Sequence, residues 1–325
     1  MSRIRRFFQS LRGQPRSKPS HPQMRGNGDF LGSKETTDGD SASMFSVMHD
    51  EDLESVLRYL LTEVSELRTL TRHLLAESPR YSEFVRETSE SFDFQWGHIM
   101  EGAALRTDPA FLKSCRSFVT QYTGFHEAWF RGKRVLDAGC GNGRWAATFC
   151  DLGASVTAFD ISEHGIADTT QACAGRASRI FRHSVLQPIP IDEPFDLVWS
   201  YGVLHHTGDT YGGFKNLLPM VRPGGFLFLM LYGEPRPWVS VEYQELNLYQ
   251  RMRWHLRGLS SKQKVQYLQG VLEPSLVHGY FDAVSPPVND CYGRSEILGW
   301  MRHAGFADIK ETFENRNIHV IGQMR

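Results

Sequence analysis

Arg134-Val-Leu-Asp-Ala-Gly-Cys-Gly-Asn-Gly-Arg144 decides how this chain folds. An apolar strand runs into a glycine-rich turn, and a helix follows. Gly139, Gly141 and Gly143 carry no Cβ, so the backbone can adopt unusual dihedrals and come close to a ligand. The turn opens a helix, whose first N–H groups have no partner within the helix and point at whatever binds there. Nucleotide-binding dehydrogenases use a similar turn. Two residues separate the readings. Arg144 stands where the dehydrogenase fingerprint takes a small residue, and Asp137 ends the strand just before the glycines. A carboxylate there suits a ligand that carries an ammonium group; its plainer role is to cap the turn.

Outward from this stretch the same grammar repeats. Asp160 closes the next apolar run, about twenty residues past the glycines, where a carboxylate can accept hydrogen bonds from both hydroxyls of a ribose. Ser162 already serves as N-cap for the helix that follows, which frees Asp160 from that task. Ile161 then flanks a base ring. Strands are expected at 134–138, 155–159, 179–183, 197–201, 225–231, 307–312 and 318–323, and helices at 144–151, 163–175, 211–220 and 294–304. Strand and helix in alternation mean a parallel sheet with right-handed crossovers. The last two strands, joined by a short connection, read as a closing antiparallel pair. The expectation is an α/β fold: a doubly wound, mostly parallel, seven-stranded sheet. A helical N-terminal extension precedes it, and a helical insertion at about 235–290 precedes the last two strands.

The remainder of the 325 residues sets limits. Net charge is −1 with 22% charged residues, so no global field argues for nucleic acid as partner. The five cysteines are scattered without a CxxC pair, which excludes a zinc knuckle or a disulfide framework, and no metal-ligand set is read. No apolar run reaches the ~18 residues of a membrane span. Residues 1–45, rich in Arg, Ser, Pro and Gly, read as a disordered basic tail. Within them Ile4, Phe7, Phe8 and Leu11 fall at helical spacing among arginines. Residues 3–12 thus read either as a solvated tail, as weak contact with an anionic membrane surface, or as an organelle-targeting peptide; the body of the chain is expected in the cytoplasm. In 46–80, Leu53, Leu57, Leu60, Val64, Leu67, Thr71 and Leu74 form a heptad stripe that Pro79 ends. It serves a homodimeric coiled coil or packs on its own domain. Residues 81–325 are taken as the main domain.

VLDAGCGNG, VTAFDIS, FDLVWSYGVLHHTGD and VRPGGFLFLMLYG occur in this order and together resemble the class I S-adenosylmethionine-dependent methyltransferases, over roughly residues 130–325. Phe94-Gln-Trp96, Phe281-Asp-Ala-Val-Ser-Pro-Pro287 and Trp300…Gly305-Phe306 are similar to a subgroup associated with saccharides and natural products. The resemblance implies that Asp137 and the backbone of Gly139, Cys140, Gly141 and Gly143 hold the methionine end of S-adenosylmethionine. Asp160 would hold the ribose, with Ile161, Ser184 and Val185 beside adenine and Ser200 and Tyr201 near the sulfur. Many members have an acid where Ser184 stands, so the adenine contact departs from the pattern. Trp96 either covers the cofactor or belongs to the core.

Methyl transfer to a hydroxyl needs a base, and His205 and His206 follow the fourth strand on the ligand-binding side. His205 is the preferred base; a satisfied loop histidine is the alternative for each. Tyr232, Arg236 and Tyr292 are candidate acceptor contacts, Arg236 by gripping an acidic acceptor; His278 and Asp282 lie in the insertion that roofs the pocket. The expected activity is methyl transfer at oxygen or nitrogen of a small-molecule, saccharide-like or natural-product acceptor. A non-catalytic cofactor-binding scaffold that recruits partners through the 53–74 helix and a nicotinamide-dependent oxidoreductase are the competing readings. Arg144 argues against the last.

Overall fold

The computed structural model describes residues 81–99, 108–236 and 238–325. The chain divides into two units, Met1–Leu60 and Leu61–Arg325, and every described residue belongs to the second. The basic tail, its 3–12 segment and the heptad stripe lie outside the described residues.

Two helices precede the first strand: α1 (Tyr81–His98) and α2 (Pro109–Thr123). Neither is among the helices expected from sequence, although α2 is well signposted. Asp108 caps it by accepting the Ala110 N–H at 2.9 Å, Pro109 takes its first turn, and Gly124 ends it at φ 71°. Then come β1 (Arg134–Ala138), α3 (Arg144–Asp151), β2 (Ser155–Asp160), α4 (Glu163–Cys173), β3 (Arg179–Arg182), β4 (Phe195–Tyr201), α5 (Thr210–Leu217) and β5 (Val221–Leu231). The expected helix 211–220 instead tightens to a 3-10 turn over Leu218–Met220, because Pro219 has no N–H to continue the α pattern. Three helices fill the expected insertion: α6 (Ser240–Leu256), α7 (Ser261–Val271) and α8 (Pro274–Val284). The chain closes with α9 (Arg294–His303), β6 (Phe306–Glu311) and β7 (Ile318–Met324).

The seven strands order as β3-β2-β1-β4-β5-β7-β6. All neighbours are parallel up to β5; β7 runs antiparallel to both β5 and β6. The closing antiparallel pair is as expected. β7 sits inside the sheet, between β5 and β6, with Leu229 opposite Val320.

Alternate residues of each strand serve opposite layers. Val135, Leu197, Trp199 and Phe228 pack with Phe149 of α3 and Val119 of α2. Leu136, Val198, Leu227 and Leu229 pack with Phe214 of α5 and Ile297 and Met301 of α9. Both faces are covered, which is why these strands read as continuous apolar runs rather than as alternation. Each fully buried Leu or Phe contributes about 1.5–3 kcal/mol. A third cluster joins Leu256, Leu268, Val277 and Phe281 of the insertion to Ile99 and Phe94 at the end of α1. The strand order reverses between β1 and β4, and a crevice forms at such a switch point, at the carboxyl ends of the strands.

Candidate active site

β1 ends in the glycine turn, and the turn is folded against β2. Gly139 and Cys140 both donate their N–H to the Phe159 carbonyl, at 2.8 and 3.0 Å. Gly139 has φ 86°, and a Cβ there would lie 2.3 Å from Val203 Cγ2; Gly141 has φ 51°, and its Cβ would lie 2.8 Å from Trp96 Cζ2. No other residue type fits either position without displacing a neighbour. Asp160 holds the turn by its carboxylate. One oxygen accepts the Gly141 N–H at 2.8 Å, the other the Ser162 N–H at 2.9 Å. Ser162, as expected, caps α4 through its hydroxyl, which accepts the Gly165 N–H at 2.9 Å.

A cavity of about 380 Å³ opens at this end of the sheet, within the range of small-molecule sites. Of the sequence-predicted residues it gathers Gly139, Gly141, Asp160, Ile161, Ser184, Val185, Tyr201, Trp96, His206 and Tyr232 on one wall system, with Arg144, His278 and Asp282 beside them. The others stand elsewhere. Cys140 is buried against the Thr169 hydroxyl, and Gly143 caps α3 and packs on Thr169. Ser200 is buried one residue before the wall-lining Tyr201. Asp137 is fully buried behind the turn and does not reach the cavity wall. Its carboxyl faces the Ala146 backbone N–H at the start of α3. Burial and the neighbouring Asp160 carboxylate push Asp137 up to about 8, with the Ala146 N–H and Arg144 offsetting only part of this. It is therefore a largely protonated acid at neutral pH, not a ready carboxylate for an ammonium group.

Three further expectations are corrected. His205, the preferred base, is fully buried and off the wall. Its Nδ1 accepts the Tyr232 N–H at 3.2 Å, and its ring stacks on Tyr232 at 3.9 Å; burial holds its pKa well below the usual value. It is a neutral structural histidine. Arg236 is engaged with Glu242 at 2.6 Å and with Glu314, tying the loop to α6 instead of facing an acceptor. Tyr292 is buried in the core against Trp300, its N–H donating to the Tyr232 carbonyl at 2.9 Å.

Of the adjacent pair, His206 is the one on the cavity wall. Its Nδ1 lies 3.1 Å from the Val288 carbonyl, which can only accept, so Nδ1 carries the proton and Nε2 keeps its lone pair. Nε2 stands 3.9 Å from Asp282 Oδ2 and has no hydrogen bond. Burial lowers the pKa of His206, against the pull of Asp282 and the Val288 carbonyl, and favours the neutral ring. Asp282 also accepts the Tyr232 hydroxyl at 2.5 Å. Three polar side chains, from the 3-10 turn after β4, from the residue after β5 and from α8, thus converge at the cavity.

Sequence reasoning missed what α1 contributes beyond Trp96. Asp93 accepts the Ser162 hydroxyl at 2.7 Å and the His164 N–H at 3.1 Å, and its second oxygen meets the His164 ring at 2.8 Å. Gln95 donates to His278 at 3.2 Å, and Ser91 to Ser285 at 2.8 Å. The helix is fastened on one side to the start of α4 and on the other to α8, with Trp96 laid across Gly141. The acid in the Phe92-Asp-Phe-Gln-Trp96 run, set just ahead of the noted Phe94-Gln-Trp96, was the available signal.

Residues 136–229 match the family description "Methyltransferase domain". The match spans β1 to β5, and with the sheet order and the glycine turn above it makes this stretch similar to S-adenosylmethionine-dependent methyltransferases. Among individual relatives, the chain is 30% identical over 151 residues to a ubiquinone biosynthesis O-methyltransferase of Rhizobium johnstonii, a match covering 46% of this chain and 60% of that protein. It is 38% identical over 92 residues to a malonyl-[acyl-carrier protein] O-methyltransferase of Salmonella typhimurium, covering 28% of this chain and 36% of that protein. The chain thus spans less than two thirds of the length of these relatives. Among solved structures, an O-methyltransferase family protein from Burkholderia thailandensis aligns with TM-score 0.49 at 17% identity, over 78% of this chain and 70% of that one. Magnesium protoporphyrin IX methyltransferase from Synechocystis, solved with bound S-adenosylhomocysteine, aligns with TM-score 0.46 at 15% identity, over 79% and 100%.

The residues present fit S-adenosylmethionine as cofactor. The buried Asp160 carboxylate is fixed at the cavity by two backbone N–H groups and retains lone pairs for ribose hydroxyls. Close by, Gly141 lies on the cavity wall with the Trp96 ring against it, and Ile161, Val185 and Leu186 offer an apolar slot for a base.

Proposed function

We propose that this chain transfers the methyl group of S-adenosylmethionine to a hydroxyl of a small-molecule acceptor, and that the Asp282–His206 pair takes up the hydroxyl proton. The observation that carries this reading is the convergence of Tyr232, Asp282 and His206 on the same cavity wall as the Asp160-held glycine turn. When bound, S-adenosylmethionine supplies an electrophilic methyl group. What the chain must add is an acceptor oxygen held in line and stripped of its proton. Asp282, partly exposed to the cavity, is the group placed to accept a hydrogen bond from that hydroxyl. Tyr232 pins Asp282 by donating to it, and the neutral His206 behind it offers Nε2 as a further proton acceptor at 3.9 Å. Residues of α1 and α8 line the cavity beside the turn. Asp282 and the histidines suit a neutral, hydroxyl-rich acceptor such as a saccharide or natural product, and both named relatives act as O-methyltransferases.

The reading is tested by calorimetry with S-adenosylhomocysteine and by methyl transfer to a panel of hydroxylated acceptors. Asp282→Asn and His206→Gln are each expected to slow turnover roughly 10²-fold or more, with S-adenosylhomocysteine affinity preserved. In the wild type, turnover should fall at acid pH as His206 gains a proton. Undiminished turnover in both variants would remove the pair from the mechanism; absent cofactor affinity in the wild type would remove the function.

A further inference from the structure

Among the described residues Arg144 has no ion-pair partner. It begins α3 directly after the glycine turn, is only partly exposed and lines the cavity. Its guanidinium lies 4.7 Å from the Trp145 ring centre and 5.2 Å from that of Tyr201. Among the described residues its side chain makes no hydrogen bond and no ion pair, unlike Arg182 with Glu163, Arg222 with Asp196 or Arg294 with Glu311. The two carboxyl groups nearest the turn do not neutralise it. Asp160 is committed to backbone N–H groups, and Asp137 sits buried with its pKa raised to about 8, so it carries little charge at neutral pH. A guanidinium withdrawn from water, stacked on rings and left unpaired is costly unless an anion completes it. Its planar fork matches a carboxylate in two parallel hydrogen bonds.

We propose that Arg144 grips the carboxylate of the methionine arm of S-adenosylmethionine, so that the charged end of the cofactor is read by this side chain and not by the strand-end acid Asp137. The inference rests on the cofactor reading above and deepens it. An acceptor carboxylate or phosphate would present the same chemistry, but the position favours the cofactor. Arg144 adjoins the turn whose Gly141 N–H is held by Asp160, whereas the acceptor group is built from the end of β5, the turn after β4 and α8. The ribose-binding acid and the guanidinium thus bracket one stretch of backbone, along which the amino-acid arm runs.

The test compares S-adenosylmethionine with its decarboxylated form, which lacks only the carboxylate, by calorimetry on the full chain. The wild type should prefer the carboxylated ligand roughly ten- to hundredfold. In Arg144→Gln the preference should shrink to about one, with affinity for the decarboxylated ligand unchanged. Arg144→Lys should restore part of it, and thermal melting of each variant checks that it is folded. An Arg144→Gln protein that keeps the wild-type preference overturns the proposal, as does one that loses both ligands equally. A variant with intact cofactor preference and a raised KM for an anionic acceptor also overturns it, and assigns the anion to the acceptor. A wild type that binds both ligands alike sinks the Arg144 assignment alone; one that binds neither sinks the cofactor reading as well.

Discussion

The two halves of the cavity are built on different principles. The cofactor half is made of neighbours in sequence: one turn between β1 and α3, and one carboxylate 19 residues from the N–H that it holds. The roof half is made of residues that the chain brings from far apart. Asp93 meets Ser162 across 69 positions, Gln95 meets His278 across 183, His206 meets Val288 across 82, and Tyr232 meets Asp282 across 50. A backbone-made site tolerates few substitutions and announces itself in the sequence. A site of distant side chains is open to variation and shows only in three dimensions.

The contrast can be broken where it is sharpest. Gly139→Ala forces a Cβ to within 2.3 Å of Val203 Cγ2 at φ 86°. Strain of about 1–3 kcal/mol should weaken S-adenosylhomocysteine binding roughly ten- to hundredfold. Unchanged affinity by calorimetry would mean that the turn is not held by backbone shape. A smaller effect is expected across the roof. Asp93→Asn removes the carboxylate that accepts three groups at the start of α4, and the loss of about 1 kcal/mol should lower the melting temperature by several degrees and cofactor affinity several-fold. If affinity stays put while stability falls, α1 is a brace for the fold and not part of the site.

The smallest effect on affinity, under about threefold, is expected from Asp137→Asn, since the buried acid is off the wall. Its effect on stability has a definite sign. An acid raised to about 8 in the fold ionises near 4 when unfolded, so it costs the fold increasingly as pH climbs through that window. Asparagine cannot ionise. The variant should therefore melt higher than the wild type by a larger margin at pH 8 than at pH 5; an equal margin at both would deny the shift.

What was legible follows the same division. The seven strands, the turn, Asp160 and the Ser162 cap could be read because each depends on contacts a few residues away or on strand periodicity. The choice between His205 and His206 could not. They are adjacent in a 3-10 turn, where successive side chains point about 120° apart, and only the position of α8 and Val288 says which of them faces the cavity. Arg236 looked free to grip an acceptor, yet Glu242 six residues on was already its partner. Tyr292 read as a pocket aromatic because nothing local reveals that α9 and its Trp300 bury it. Asp137 failed differently. The strand end was correctly located, but how far a strand-end side chain lies from solvent is set by the helix that packs over it.

The place of β7 has a consequence for how the molecule is made. Residues 318–324 leave the ribosome after every other strand, yet they take an interior position, bonded to β5 on one side and to β6 on the other. Until they emerge, β6 has no neighbour in the sheet, and the open margin of β5 exposes a long run of unpaired backbone that invites pairing with other chains. Completion of the sheet therefore waits for synthesis to run past β7, and a protein cut before Ile318 would lose an interior strand of that sheet.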